Sequence, residues 1–266
     1  MADVERVTRS RGFEALARFG LVARGVVYAI VGLLALLVAL DAGGRATDQR
    51  GALAEIADRP FGIALLVAMA IGLAGYALWR LSRALLGHGR EQQDEAADRV
   101  AALASGIAYG ILCVTAIAII AAGGGRGGGS GPKSTTGGVL GWSGGTWLVG
   151  AAGVVLIGVA GYQAYKGLAR KFLDDAKTGE MSEQVRRAYT ALGVFGHTAR
   201  AVVFALIGYG LIRAAVSFDP QKAIGLDGAL RQLGRASYGP WLLGLVAVGL
   251  IGFAAYSIAD ARYRKV

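Results

Sequence analysis

Charge is what this sequence has least of. Asp, Glu, Lys and Arg make up 17% of its 266 residues, where a soluble domain carries about a quarter, so composition argues against a soluble enzyme or a disordered chain. With one cysteine, no disulfide can close within the chain and no zinc site can be built on paired cysteines. The two histidines, His88 and His197, lie far apart in the sequence, Cys113 is isolated, and no metal-ligand spacing results. No grouping of serine, histidine and acid suggests a hydrolase. The chain is therefore expected to be no enzyme and to hold no cofactor or metal. What is abundant is apolar: 55% of residues are hydrophobic, 43 are glycine, and mean hydropathy is +0.50. That is the composition of a polytopic membrane protein.

Six apolar segments approach the ~20 residues that a bilayer requires: Phe19 to Leu40, Phe61 to Leu81, Val100 to Ala122, Trp147 to Tyr165, Val194 to Val216 and Trp241 to Ala259. The first is longer than the apolar part of a signal peptide and has no small-residue cleavage site near Asp41, so it reads as a retained helix. Of the 28 Lys and Arg residues, 19 fall at the two termini and the even-numbered connections and 9 in the other connections. The positive-inside bias then predicts cytoplasmic N- and C-termini. The formal charge of +10 raises nucleic acid as a partner. The basic residues sit at helix ends, with no basic run interleaved with aromatics, so no nucleic acid is expected. Attraction to anionic lipid head groups accounts for the same charges.

Internal repetition is the most specific signal. Ala23-Arg24-Gly25-Val26-Val27-Tyr28 lines up with Ala104-Ser105-Gly106-Ile107-Ala108-Tyr109 and with Ala199-Arg200-Ala201-Val202-Val203-Phe204. Downstream, Ile71-Gly72-Leu73-Ala74-Gly75-Tyr76 matches Ile157-Gly158-Val159-Ala160-Gly161-Tyr162 and Ile251-Gly252-Phe253-Ala254-Ala255-Tyr256. Each unit is a helical hairpin, with boundaries predicted at 1–90, 91–180 and 181–266. The fold class that follows is an all-α membrane protein: six transmembrane helices as three tandem hairpins, pseudo-threefold about the membrane normal, because an even number of spans per unit makes the repeats parallel. Gly72, Gly158 and Gly252, each followed three residues later by Gly75, Gly161 or Ala255, predict close helix approach.

These features resemble the DUF1206 family of bacterial membrane proteins, whose repeated unit is a two-helix segment. The resemblance rests on Ala23 to Tyr28, its echo at Ala199 to Phe204, and Gly51-Ala52-Leu53 followed by Pro60-Phe61-Gly62, echoed by Gly228-Ala229-Leu230 and Pro240-Trp241. It covers nearly the whole chain and implies a bacterial inner (plasma) membrane location. It implies no activity and no catalytic residue. The middle unit departs from the pattern, with Ser105 in place of the arginine.

The segments at Gly51 to Ile56 and Gly228 to Leu233 carry apolar residues at helical spacing and read as short amphipathic helices at the outer interface. Their counterpart, Gly123 to Gly145, is rich in Gly, Ser and Thr and reads as flexible. Its Gly131-Pro132-Lys133-Ser134-Thr135 fails as a phosphate loop, because Pro132 stands where the glycine before the lysine must be. Trp142, Trp147 and Trp241 fit an outer aromatic belt and Trp79 an inner one. His197 reads as an interfacial polar residue.

Ionisable residues within a bilayer are the default functional candidates. Arg24 and Arg200 share a repeat position near the cytoplasmic end of their spans, from which a guanidinium reaches head groups, pairs within the bundle or binds a lipid phosphate. Asp260 is the acid placed to pair with either. With Ser105 at the third copy of the arginine position and the recurrent Tyr28 and Tyr109, these residues define a candidate polar cluster or lipid-phosphate site around the pseudo-threefold axis. Two functions fit: a structural or interaction bundle binding membrane lipids, anionic ones included, or a membrane protein partner; and a small-solute or ion transport module with a path along that axis.

Overall fold

The computed structural model describes residues 11–42, 47–86, 96–123 and 132–265. It is helical, with no strand among those residues. Nine α-helices occur among them: α1 Arg11–Ala39, α2 Gln49–Ala57, α3 Gly62–Leu86, α4 Ala96–Ala121, α5 Pro132–Leu140, α6 Gly145–Leu168, α7 Glu183–Val216, α8 Leu226–Gly234 and α9 Gly239–Tyr263. Six of them, α1, α3, α4, α6, α7 and α9, are long and apolar enough to cross a membrane. The repeat is therefore long helix, nine-residue helix, long helix, three times over.

The same two turns build every repeat. At the end of α1, α4 and α7 the chain leaves the helix through a residue with positive φ: Asp41 at 54°, Gly123 at 73° and Phe218 at 53°. Ala42 N–H then donates to Leu37 O, and Asp219 N–H to Ala214 O, both at 3.0 Å, the six-to-one bond that satisfies a helix's last carbonyls. Entry into the second long helix uses Phe61, Gly144 and Tyr238, at φ 59°, 81° and 60°, each followed by glycine. Gly62 N–H donates to Arg59 O, Gly145 N–H to Trp142 O and Gly239 N–H to Ala236 O at 2.8 to 2.9 Å. A Cβ on Gly62, Gly145 or Gly239 would collide with carbonyl oxygens at the end of the short helix before it. The partner of Phe61-Gly62 is therefore Tyr238-Gly239, not Pro240-Trp241. Pro240 instead sits in the first turn of α9, where its missing N–H has no acceptor to lose.

The middle repeat keeps this plan. Residues 132–140 form α5 despite their Gly, Ser and Thr content, which corrects the flexible reading for that stretch; residues 124–131, Gly131 included, lie outside the described residues. Leu140 packs with Val149 and Ala215 in a small apolar cluster, so tertiary packing overrides a weak propensity. Helices α2 and α8 bury their apolar faces within the protein, through Ala52, Leu53 and Ile56 and through Leu226, Ala229 and Leu230, instead of laying them in lipid.

The chain divides into two compact units. Unit 1 comprises residues up to Val27, Arg50–Gly127 and Ser257 onward; unit 2 comprises Tyr28–Gln49 and Gly128–Tyr256. In unit 1, Gly72 and Gly75 receive Phe19, Ala23 and Leu16 of α1, as the small-residue spacing predicts. In unit 2, by contrast, Gly158 and Gly161 have nothing within 4 Å of where a Cβ would point, and Gly252 has only loose contacts. Close approach there uses other glycines, such as Gly153 against Gly208 and Gly196 against Phe253. A repeated spacing of small residues thus does not fix which face packs.

Candidate functional site

Unit 1 gathers a buried polar network from α1, α3 and α9. Arg24 of α1 is 5% exposed and Asp260 of α9 is fully buried. Arg24 Nη2 lies 3.5 Å from Asp260 Oδ2, Nη1 donates to the Tyr76 hydroxyl at 2.6 Å and Nε to Ser257 Oγ at 3.1 Å. Arg264, one turn after Asp260, donates to the same carboxylate oxygen at 2.9 Å. Two guanidiniums thus share one carboxylate away from water, an arrangement that holds its geometry because removing one partner would leave a buried charge uncompensated. Arg18 adds a clamp: its Nη1 donates to the carbonyls of Ala261 and Arg262 at 2.5 and 2.7 Å, placing a cation on the carboxyl end of α9 where the helix dipole favours it.

Trp79 is the centre of the basic side of this network. It is 3% exposed, so it is not the inner-belt tryptophan that its sequence position suggests. The guanidinium carbons of Arg264, Arg83 and Arg80 stand 5.0, 5.1 and 5.7 Å from its ring, within cation–π range. Tyr76 lies beside it, tilted at 47° with ring centroids 5.5 Å apart, and receives Tyr109 edge-on at 4.7 Å. Arg80 forms no ion pair among the described residues, and its Nε is buried without a hydrogen-bond partner.

Arg200 is not part of this network. Its partners all belong to unit 2: the Phe253, Phe204 and Tyr28 rings at 4.3, 5.1 and 5.3 Å, and Gln163, whose amide oxygen, turned toward the guanidinium, accepts from both Nη atoms at 3.2 and 3.3 Å. Of the six candidate residues, then, Arg24 and Asp260 meet, with Tyr109 behind them on Tyr76. Tyr28 lines the Arg200 site, and half-buried Ser105 hydrogen-bonds to neither group among the described residues. In place of one cluster, Arg24 pairs with Asp260 within unit 1 and Arg200 contacts Gln163 within unit 2, where Lys166 stands at the repeat position that Asp260 holds in α9.

His197 is likewise buried and not interfacial. Its ring stacks on Phe172 at 5.3 Å with Phe253 and Tyr256 edge-on, and Nδ1 is 2.8 Å from Gly193 O. The sequence reading missed Arg264, Ser257 and the basic ring around Trp79. Arg264 carried a legible signal, an acid and a base four residues apart on one helix face. Arg80 and Arg83 carried none beyond their position at a helix end.

Three hairpins of one plan, each a pair of membrane-length helices joined by a short packed one, define a multi-pass α-helical membrane protein. The chain belongs to the family described as Domain of Unknown Function (DUF1206), which matches it three times, over residues 19–87, 100–170 and 195–264. It is 33% identical over 252 residues to the uncharacterized protein YxxB of Bacillus subtilis (strain 168), covering 94% of this chain and 90% of that one. No solved structure matches it.

Proposed function

We propose that this protein is a non-catalytic membrane bundle whose unit 1 network docks the head group of an anionic phospholipid. The observation that carries the reading is the arrangement at Trp79. Arg24 and Arg264 both draw on Asp260, while Arg80 stands against the indole with a buried Nε and no hydrogen-bond partner for it among the described residues. A phosphate group supplies the acceptors that such a guanidinium lacks, and arginine binds phosphate through paired N–H groups. The basic residues counted on this side of the spans support placing it at the cytoplasmic leaflet of a bacterial plasma membrane, with both termini on that side, where anionic lipid is the abundant counter-charge.

The transport reading has less support. Thr115, one of few polar side chains at mid-depth, donates its hydroxyl to Ile111 O of its own helix at 2.8 Å, which is how a lipid-exposed threonine satisfies itself. Native mass spectrometry of detergent-purified protein offered phosphatidylglycerol or phosphatidylcholine tests the proposal. The protein should retain phosphatidylglycerol in preference to phosphatidylcholine, and an Arg80→Gln/Arg83→Gln variant should retain fewer phosphatidylglycerol molecules per protein. Equal retention of both lipids by the unaltered protein, or an unchanged number of phosphatidylglycerol molecules bound by the variant, refutes it.

A further inference from the structure

The repeat register set by Tyr76, Tyr162 and Tyr256 puts Gln163 level with Ser257 and Lys166 level with Asp260. Arg24 and Arg200 are level with each other in the same way. Arg24 therefore faces a neutral hydrogen-bonding side chain and, one turn further on, an acid. Arg200 faces the neutral side chain, Gln163, with a lysine at the acid's place. Lys166 is itself neutralised by Asp175 at 2.9 Å, and no carboxylate among the described residues lies within ion-pair distance of Arg200. Its Nε is buried without a hydrogen-bond partner, and one amide oxygen takes up only part of the five N–H groups a guanidinium offers. A cation inside a membrane-spanning helix, held by three aromatic rings and an amide but by no acid among the described residues, leaves one positive charge that an external negative group can match.

We propose that Arg200 and Gln163 form a binding site for the oxyanion head of an amphiphile, a carboxylate or phosphodiester of single negative charge carried on acyl chains. The charge requirement follows from the pairing of Lys166 with Asp175, which leaves a single cation to be matched. The acyl requirement follows from the surroundings: Phe204, Phe253 and Tyr28 flank the guanidinium within the spans, and a hydrated free anion would have to shed its water to reach it. A lipid carries its head group there along the apolar surface. This reading rests on residues of unit 2 alone and does not depend on the one proposed for unit 1.

The deciding variant is Gln163→Glu, which supplies the missing acid from within and keeps the side-chain length. Purified protein in uncharged detergent would be offered oleate, dioleoylphosphatidylglycerol, dioleoylphosphatidylcholine and sodium acetate, with retention read by native mass spectrometry and thermal stability in parallel. Oleate or the phosphatidylglycerol should bind the unaltered protein, and its affinity should fall at least about tenfold in both Gln163→Glu and Arg200→Gln, the loss of one charge-assisted bond. Gln163→Glu should also raise the melting temperature without added ligand, which shows that it is folded. The Arg80→Gln/Arg83→Gln variant should leave a population bound through Arg200, which separates failure here from failure of the unit 1 reading. Unchanged affinity for both amphiphiles in Gln163→Glu overturns the site, as does acetate displacing oleate at equal concentration.

Discussion

Arg24 and Arg200 stand at the same point of the repeat and meet opposite surroundings. Arg24 is held by a fully buried acid that it shares with Arg264; Arg200 is held by rings and one amide. The difference comes from one position on the facing helix, Asp260 in one case and Lys166 in the other. The same repeat position thus holds an arginine paired with an acid in one unit and, in the other, an arginine with no acid within ion-pair distance among the described residues. Breaking the first arrangement should have the largest effect. Asp260→Ala leaves Arg24 and Arg264 without their shared acid, and loss of one partner from a buried ionic group costs about 3 to 5 kcal/mol. The expected result is a steep fall in the thermal midpoint in mild detergent. A midpoint within a degree or two of the unaltered protein would show that water or lipid already screens the pair.

The turn glycines are shared by all three repeats and set the next scale. Alanine at Gly145 places a Cβ on the Val139 carbonyl, so the turn must open and α5 must shift, at a cost of about 2 kcal/mol or more. Gly62→Ala and Gly239→Ala should behave alike. Unequal losses measured by thermal unfolding would mean that the repeats do not share this turn under load. Arg200→Leu sharpens the comparison of the two arginines. Arg200 is half-buried and has no acid among the described residues, so replacing it by an apolar side chain should change stability without added lipid by no more than about 1 kcal/mol. A loss as large as that of Asp260→Ala would show that the rings and Gln163 alone hold Arg200 as firmly as an acid holds Arg24.

Much of the fold was legible in the sequence because membrane length and repeat period are one-dimensional properties: the six spans, the hairpin unit and the short helices at Gln49–Ala57 and Leu226–Gly234 follow from spacing alone. Helix α5 was not, since Gly, Ser and Thr give weak helix propensity and its helicity rests on packing through Leu140 and on the turn at Gly144-Gly145. The Arg24–Asp260 contact could be anticipated as geometrically open. That Arg200 would take Gln163 instead could not, because hydropathy does not say which helix packs beside which. For the same reason Trp79, which looks interfacial along the chain, is enclosed by Arg80, Arg83 and Arg264.

The smallest effect should come from the pair Gly72 and Gly158, which the repeat makes equivalent and the structure does not. An added methyl at Gly72 meets Ala23 Cβ at 3.0 Å and Phe19 Cδ1 at 3.1 Å, so α1 and α3 must part by a few tenths of an ångström. At Gly158 it meets nothing within 4 Å, and the substitution chiefly restricts backbone freedom in a helix, where alanine is favoured over glycine by about 0.5 to 1 kcal/mol. Gly158→Ala should therefore leave the thermal midpoint unchanged or raise it slightly, while Gly72→Ala lowers it. If both lower it equally, then α6 packs in the membrane against a neighbour through the face that carries Gly158 and Gly161, and the two glycine pairs are equivalent in the assembled protein although they differ in the isolated chain.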